Sequence, residues 1–249
     1  GNYMRLDEEY CLSEYVDLGR LGDNEKVHIV RNQVNGVIGV RKYVALDLEE
    51  IYLFLKENPN AYIPKIYECI QTDTNLIVIE EYLSGKNLEE MLKEKYFSEK
   101  DAADIIICLC NALYPLHHAK MPVICRDLKA ENVILTNEGE VKLVDFDIAR
   151  IYQPGKSKDT VMMGTQGYAA PEQFGFGQTD ARTDIYAMGV LLNYMLVREF
   201  PMEKLTEGKF RTIVLKCIKI NPQDRYQNVD ELKADICNAA EIPCSSMDK

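Results

Sequence analysis

The chain has 249 residues, 47% of them hydrophobic, enough to bury a sizeable core in one large domain or two lobes. Its 29 basic against 40 acidic side chains leave a formal charge of -11, which repels nucleic-acid phosphates and anionic membrane surfaces, so any bound phosphate must be met by local cations or a metal. The most apolar stretch, Ala187 to Leu196, is far too short to span a bilayer, and no charged-then-apolar signal segment opens the sequence.

In chain order, KVHIVRN and VIGVRKY, between Lys26 and Tyr43, carry β-branched residues and flank Asn35-Gly36, a dipeptide suited to tight hairpins. They predict an antiparallel pair. Asp47 to Lys56 carries Ile51, Leu53, Phe54 and Leu55 on a helical background and ends at Asn58-Pro59. Runs at Lys65 to Gln71 and Leu76 to Tyr82, separated by the turn-prone TDTN, complete a strand-rich N-terminal region. Ser84-Gly85 reads as a hinge. Beyond it the periodicity turns helical, first from Ser98 to His118, where Ser98 and Asp101 have capping-box spacing. Short strands are predicted near Val133 to Leu135 and Val141 to Val144, and helices near Arg182 to Val197, Lys209 to Ile220 and Asn228 to Ala240. Eight cysteines, without CxxC pairs, read as reduced, buried small hydrophobes of a cytoplasmic chain, although an even count leaves disulfides open.

Phosphoryl transfer needs divalent metal to offset phosphate charge, a cation on the nonreacting phosphates and a carboxylate to orient the attacking hydroxyl. The segment Cys125-Arg126-Asp127-Leu128-Lys129-Ala130-Glu131-Asn132, followed by Val144-Asp145-Phe146-Asp147, offers such a set. An Asp or Asn alone in a loop is usually a turn former. The whole spaced set resembles the eukaryotic-type Ser/Thr protein kinases, whose pattern is His-Arg-Asp, then Asn, then Asp-Phe-Gly. Lys129, two positions after Asp127, is the Ser/Thr version. The resemblance, which runs from about Tyr15 to Ala239, implies that Asp127 orients the substrate hydroxyl, Lys129 neutralises charge on the γ-phosphate, and Asn132 and Asp145 hold Mg²⁺, with Mn²⁺ as an alternative.

The resemblance extends in both directions. Upstream, Gly22 and Val27 fall in the phosphate-covering loop, and Lys42, fifteen residues after Val27, matches the lysine that grips ATP. Glu50 is its expected ion-pair partner, with Glu49 as the alternative. Glu81 and Leu83 would offer backbone groups to adenine. Downstream, Gly164 to Glu172 resembles the end of an activation loop, where Thr165 would contact Asp127 and help dock substrate. Glu172 would pair with Arg225, and Asp184 would brace the catalytic loop. Ser157 and Thr160 are candidate phosphorylation sites, with Arg126 placed to meet the phosphate, although Ser and Thr commonly populate exposed loops.

Several positions depart from the family pattern. Of Arg20, Gly22 and Glu25, where three glycines are expected, only one is glycine, which predicts weaker ATP affinity. Asp147 replaces the last glycine of Asp-Phe-Gly, and Cys125 the first histidine. Glu80 falls where an apolar residue usually guards the back of the adenine pocket, and a buried carboxylate there needs a partner. The short stretch Glu199 to Lys209 leaves little room for the usual substrate-docking helix.

The expected fold is α+β and bilobal, a single protein-kinase-like domain over 1–249. Its antiparallel-sheet N-lobe with one helix spans about 1–83, its hinge about 83–87 and its mainly helical C-lobe about 88–240. The expected function is ATP-dependent phosphorylation of Ser/Thr hydroxyls on proteins, including autophosphorylation. The alternatives are a pseudokinase serving as a binding module and, ranked last, a small-molecule kinase. ATP and a protein substrate are the expected partners, without nucleic acid or a membrane segment. Oligomeric state is not legible.

Overall fold

The computed structural model describes residues 5–155, 164–175 and 177–244, which divide into two compact units, Gly1–Ser84 and Gly85–Lys249. In the first unit, α1 (Leu6–Ser13) precedes a five-stranded sheet of β1 (Tyr15–Arg20), β2 (His28–Asn32), β3 (Ile38–Val44), β4 (Ile66–Gln71) and β5 (Leu76–Glu81). Every strand pair is antiparallel, in the order β1-β2-β3-β5-β4. The β2-β3 hairpin turns where expected. Asn32 Oδ1 accepts the N–H groups of Val34 and Asn35 while Gly36 takes φ +74, a conformation that favours glycine. A 3-10 turn, Leu46–Leu48, leads into α2 (Glu49–Glu57), which buries Ile51, Tyr52 and Leu55 and packs on β4.

The second unit begins with β6 (Gly85–Asn87), which joins β8 (Val133–Thr136) and β9 (Val141–Leu143) in an antiparallel sheet of order β6-β8-β9. Gly85, the second residue of the expected hinge, pairs with Thr136 at the start of β6. A Cβ on Gly85 would overlap the Leu135 carbonyl, so the glycine permits close approach of two backbones. A short helix that the sequence reading did not anticipate, α3 (Leu88–Glu94), is capped by the Asn87 side chain, and α4 (Glu99–His117) follows with Ser98 accepting from the Asp101 N–H. α5 (Ala181–Val197), α6 (Arg211–Cys217) and α7 (Val229–Ala240) complete the helical core with α4. The helix expected over Lys209 to Ile220 starts as a 3-10 turn, Gly208–Phe210, and stops at Cys217.

Gly189 of α5 faces Cys217 of α6, where a Cβ would collide with the cysteine side chain, so the two helices pack more closely than larger residues allow. The short strands β7 (Val123–Ile124) and β10 (Arg150–Ile151) pair antiparallel and bracket the segment that carries Asp127 and Asp145. One expectation is corrected at the C-terminus. Cys237 and Cys244 form a disulfide, whereas Cys11, Cys69, Cys108, Cys110, Cys125 and Cys217 are free thiols.

Candidate active-site residues

In the second unit, Asp184 of α5 is fully buried and accepts hydrogen bonds from the backbone N–H groups of Cys125 and Arg126, each at 2.9 Å. His117, at the end of α4, lies 2.7 Å from the same carboxylate through Nε2. Three groups thus satisfy a charge that would be costly to bury alone. Arg126 is held at φ +66, unusual for a residue with a side chain. Its N–H is fixed by Asp184, its carbonyl accepts from Gln173 Nε2 at 2.9 Å, and its own Nε donates to Ile148 O at 2.8 Å. These bonds over-determine the strained backbone just before Asp127.

The Asp127 carboxylate accepts from Thr165 Oγ1 at 2.7 Å and from Asn132 Nδ2 at 3.2 Å. Lys129 Nζ donates to Thr165 Oγ1 at 3.1 Å and lies 3.8 Å from Asp127 Oδ2. The Asp127 side chain keeps 12% of its surface exposed and that of Lys129 23%, so both remain reachable. Four residues singled out from sequence therefore converge: Asp127, Lys129, Asn132 and Thr165.

Asn132 ends a 3-10 turn, Ala130–Asn132, with its Nδ2 also bonded to Asp127 O at 2.9 Å. Its carbonyl accepts the Val144 N–H at 2.9 Å, which ties the residue before Asp145 to the catalytic loop. Asp145 sits at φ +68 and accepts the Asp147 N–H through Oδ1 at 3.0 Å. Asp147 is not among the described residues with positive φ, so this backbone makes no use of glycine's freedom at that position. Asn132, whose amide nitrogen is occupied by Asp127, and Asp145 present oxygen donors. Hard oxygens from one or two side chains, completed by phosphate and water, suit Mg²⁺, so the residues present fit the expected metal.

The segment from Gly164 to Glu172 is fixed by close packing. A Cβ on Gly164 would lie 2.6 Å from Gln173 Nε2, and one on Gly167, at φ +93, would lie 2.9 Å from the Phe200 ring. Tyr168 meets Phe200 edge-on at 5.1 Å and receives the Ala130 N–H on its hydroxyl at 3.5 Å. Burial pushes its phenol well above the usual range. Glu172 and Arg225 form a buried two-pronged pair at 2.6 and 2.9 Å, as expected, and Thr183 Oγ1 adds a third bond to Glu172 at 3.0 Å.

In the first unit, Lys42 of β3 lies 3.0 Å from Glu80 Oε1 of β5 and over the Tyr52 ring at 5.1 Å. Glu80 therefore has the partner that its position demands. Glu50 is exposed and projects from α2 about 200° away from Tyr52 at 100° per residue. Glu49 is half-buried and faces Cys69 of β4, whose thiol burial and the Glu49 charge push up to about 11. Gly22 takes φ +68 in the turn between β1 and β2, closed by Leu21 N–H to Val27 O at 2.8 Å. Glu25 points outward, its side chain 86% exposed, so its charge does not crowd the inside of that turn. Val27 and Leu83 are half-buried, and the Glu81 N–H donates to Lys65 O at 2.8 Å.

Ser157 and Thr160 lie outside the described residues. Sequence reasoning missed His117 and Gln173 because each acts through one long-range contact, with sequence separations of 67 and 47, that no local spacing reveals.

Residues 31–242 match the family described as "Protein kinase domain", and the chain belongs to that family. It is 28% identical to "Serine/threonine-protein kinase PknB" of Mycobacterium tuberculosis over 93% of this chain and 43% of the relative. Against "Probable serine/threonine-protein kinase PknB" of Corynebacterium glutamicum it is 32% identical over 64% of this chain and 29% of that protein. A plant relative, "EPD1-interacting receptor-like cytoplasmic serine/threonine-protein kinase 5D" of Gossypium barbadense, is 32% identical over 61% and 34% of the two chains. The chain thus spans well under half the length of these relatives.

Proposed function

We propose that the chain is an active Ser/Thr protein kinase that transfers the γ-phosphoryl group of ATP to hydroxyls of protein substrates, its own included. The observation that carries this reading is the cluster of Asp127, Lys129, Asn132 and Thr165, a carboxylate, a cation, an amide and a hydroxyl linked by bonds of 2.7 to 3.2 Å. In this reading Asp127 orients the substrate hydroxyl and accepts its proton, with Thr165 and Asn132 fixing the carboxylate. Lys129 stabilises charge developing on the transferred group, and Lys42 holds the nonreacting phosphates. Asn132 and Asp145 hold Mg²⁺, which when bound offsets phosphate charge. Gly22, Val27, Glu81 and Leu83 contribute nucleotide contacts. Thr165 is also a docking group for the substrate residue.

The outward Glu25 and the ordinary backbone at Asp147 support turnover over a binding-only role. We also assign the chain to one kinase domain, with lobes of about 1–83 and 88–240 and a link over 83–87, acting in the cytoplasm. No described helix is long and apolar enough to cross a membrane. Ser157 and Thr160 are the proposed modification sites. Incubation with labelled ATP and a generic basic protein tests the reading. Phosphoserine or phosphothreonine that requires Mg²⁺ and disappears in Asp145→Asn is expected. Phosphotyrosine alone, or no transfer and no Mg-ATP binding, would sink it.

A further inference from the structure

The β3-β5 register sets Val40 opposite Glu80 and Lys42 opposite Val78. Lys42 and Glu80 are therefore diagonal neighbours on one face of the sheet, within reach of long side chains. Their charged ends meet at 3.0 Å, with only 14% and 16% of the two side chains exposed. A half-buried carboxylate at this place is costly unless a cation answers it, and the sheet itself supplies that cation. The helix offers Lys42 something else. Tyr52 of α2, 1% exposed, turns its ring face to the ammonium at 5.1 Å, a favourable but uncharged contact. Glu50 points to solvent on the other side of α2.

We propose that Glu80 on β5 is the residue that positions Lys42, so that the ion pair expected between this lysine and a helix glutamate is built inside the sheet. The proposal rests on the reading that Lys42 meets the nucleotide phosphates. Its consequence is mechanical. A pair fixed by strand register persists when α2 shifts, so the orientation of Lys42 does not depend on where the helix sits.

The test compares Glu80→Gln with Glu50→Gln and Lys42→Ala in the intact chain, using two readouts. The first needs no nucleotide: acetylation of Lys42 by limiting acetic anhydride, followed by mass spectrometry of the peptide that contains it. Loss of the carboxylate removes this ion pair, so Glu80→Gln raises Lys42 labelling several-fold, and more than Glu50→Gln does. The second is ATP turnover. Glu80→Gln lowers kcat/KM for ATP at least tenfold, mainly through KM, and adds nothing further in a Lys42→Ala background, as expected for residues acting as one unit. If Glu80→Gln unfolds the chain, Glu80→Leu fills the same space and carries the same expectations. The proposal is overturned if Glu50→Gln changes Lys42 labelling more than Glu80→Gln, or if labelling ignores Glu80. A wild-type chain without turnover whose labelling still follows Glu80 would refute the kinase reading and leave the pair standing.

Discussion

Replacing Arg225 by alanine removes a side chain that makes five hydrogen bonds. Its guanidinium makes two bonds to Glu172, at 2.6 and 2.9 Å, and three to backbone carbonyls of Lys219, Arg182 and Ile220, at 2.7 to 3.1 Å. Glu172, 5% exposed, keeps only the Thr183 hydroxyl as a side-chain partner among the described residues once the arginine is gone. Breaking a buried pair from one side costs about 3–5 kcal/mol, because an uncompensated charge stays behind. Against a total of about 5–15 kcal/mol for a domain, that is a large fraction. In urea, with a slope of about 2 kcal/mol per molar, the unfolding midpoint of this unit should fall by about 2 M. Removing both partners, as Glu172→Leu with Arg225→Leu, should cost less than the sum of the single changes, although three carbonyls remain unsatisfied. A midpoint within 0.5 M of wild type for Arg225→Ala, on the order of 1 kcal/mol, would refute the reasoning.

Four further outcomes are expected. Gly85→Ala should destabilise by about 1–3 kcal/mol in denaturant titration, since the added methyl meets the Leu135 backbone; a neutral result would remove the close-approach explanation. Thr165→Val should lower kcat about tenfold or more while Thr165→Ser retains activity, because the hydroxyl bridges Lys129 and Asp127; equal rates in both variants would deny that bridge a role. The thiols of Cys11, Cys69 and Cys108 are pushed up to about 11, chiefly by burial, so they should react slowly with a disulfide reagent at pH 8 until urea is added. A fast-reacting native thiol among these three would contradict that.

The last concerns pH. The Asp17 carboxylate is held down to about 2 by His28, the Gly19 N–H and Arg41. Its contribution to stability is fully present above its ordinary value of 3.8 and lost as pH falls toward 2, so the wild-type advantage over Asp17→Asn should shrink between pH 6 and pH 3. An advantage that grows on acidification would reverse the sign of the account.

Much of this was legible in the chain itself, for identifiable reasons. Strands around Asn35-Gly36 and the helix after Ser98 announce themselves through turn chemistry, capping and periodicity, which are local signals. Asp127, Lys129 and Asn132 share one short loop, so spacing alone brought them together. Among the segments that escaped notice, the strands β6, β7 and β10 have two or three residues each and are held by pairing rather than propensity, while α1, β1 and α3 are also short. The close approach that Gly85 permits depends on the β6-β8 pairing, which sequence does not disclose. Glu80 was flagged as needing a partner, but its identity depended on strand register across β3 and β5. Likewise the Cys237–Cys244 disulfide depends on how the chain turns after α7, which composition does not disclose.

The most direct test of the central claim is transfer of labelled γ-phosphate from Mg-ATP to protein Ser/Thr by wild type and by Asp127→Asn, with folding of both checked by thermal unfolding. Asp127→Asn keeps the side-chain shape and loses the acceptor of the substrate proton, so transfer should fall by about 10²–10⁴-fold while Mg-ATP binding stays within a few-fold. Equal transfer by the two proteins would contradict the assignment of Asp127 and, with it, the mechanism built around that residue.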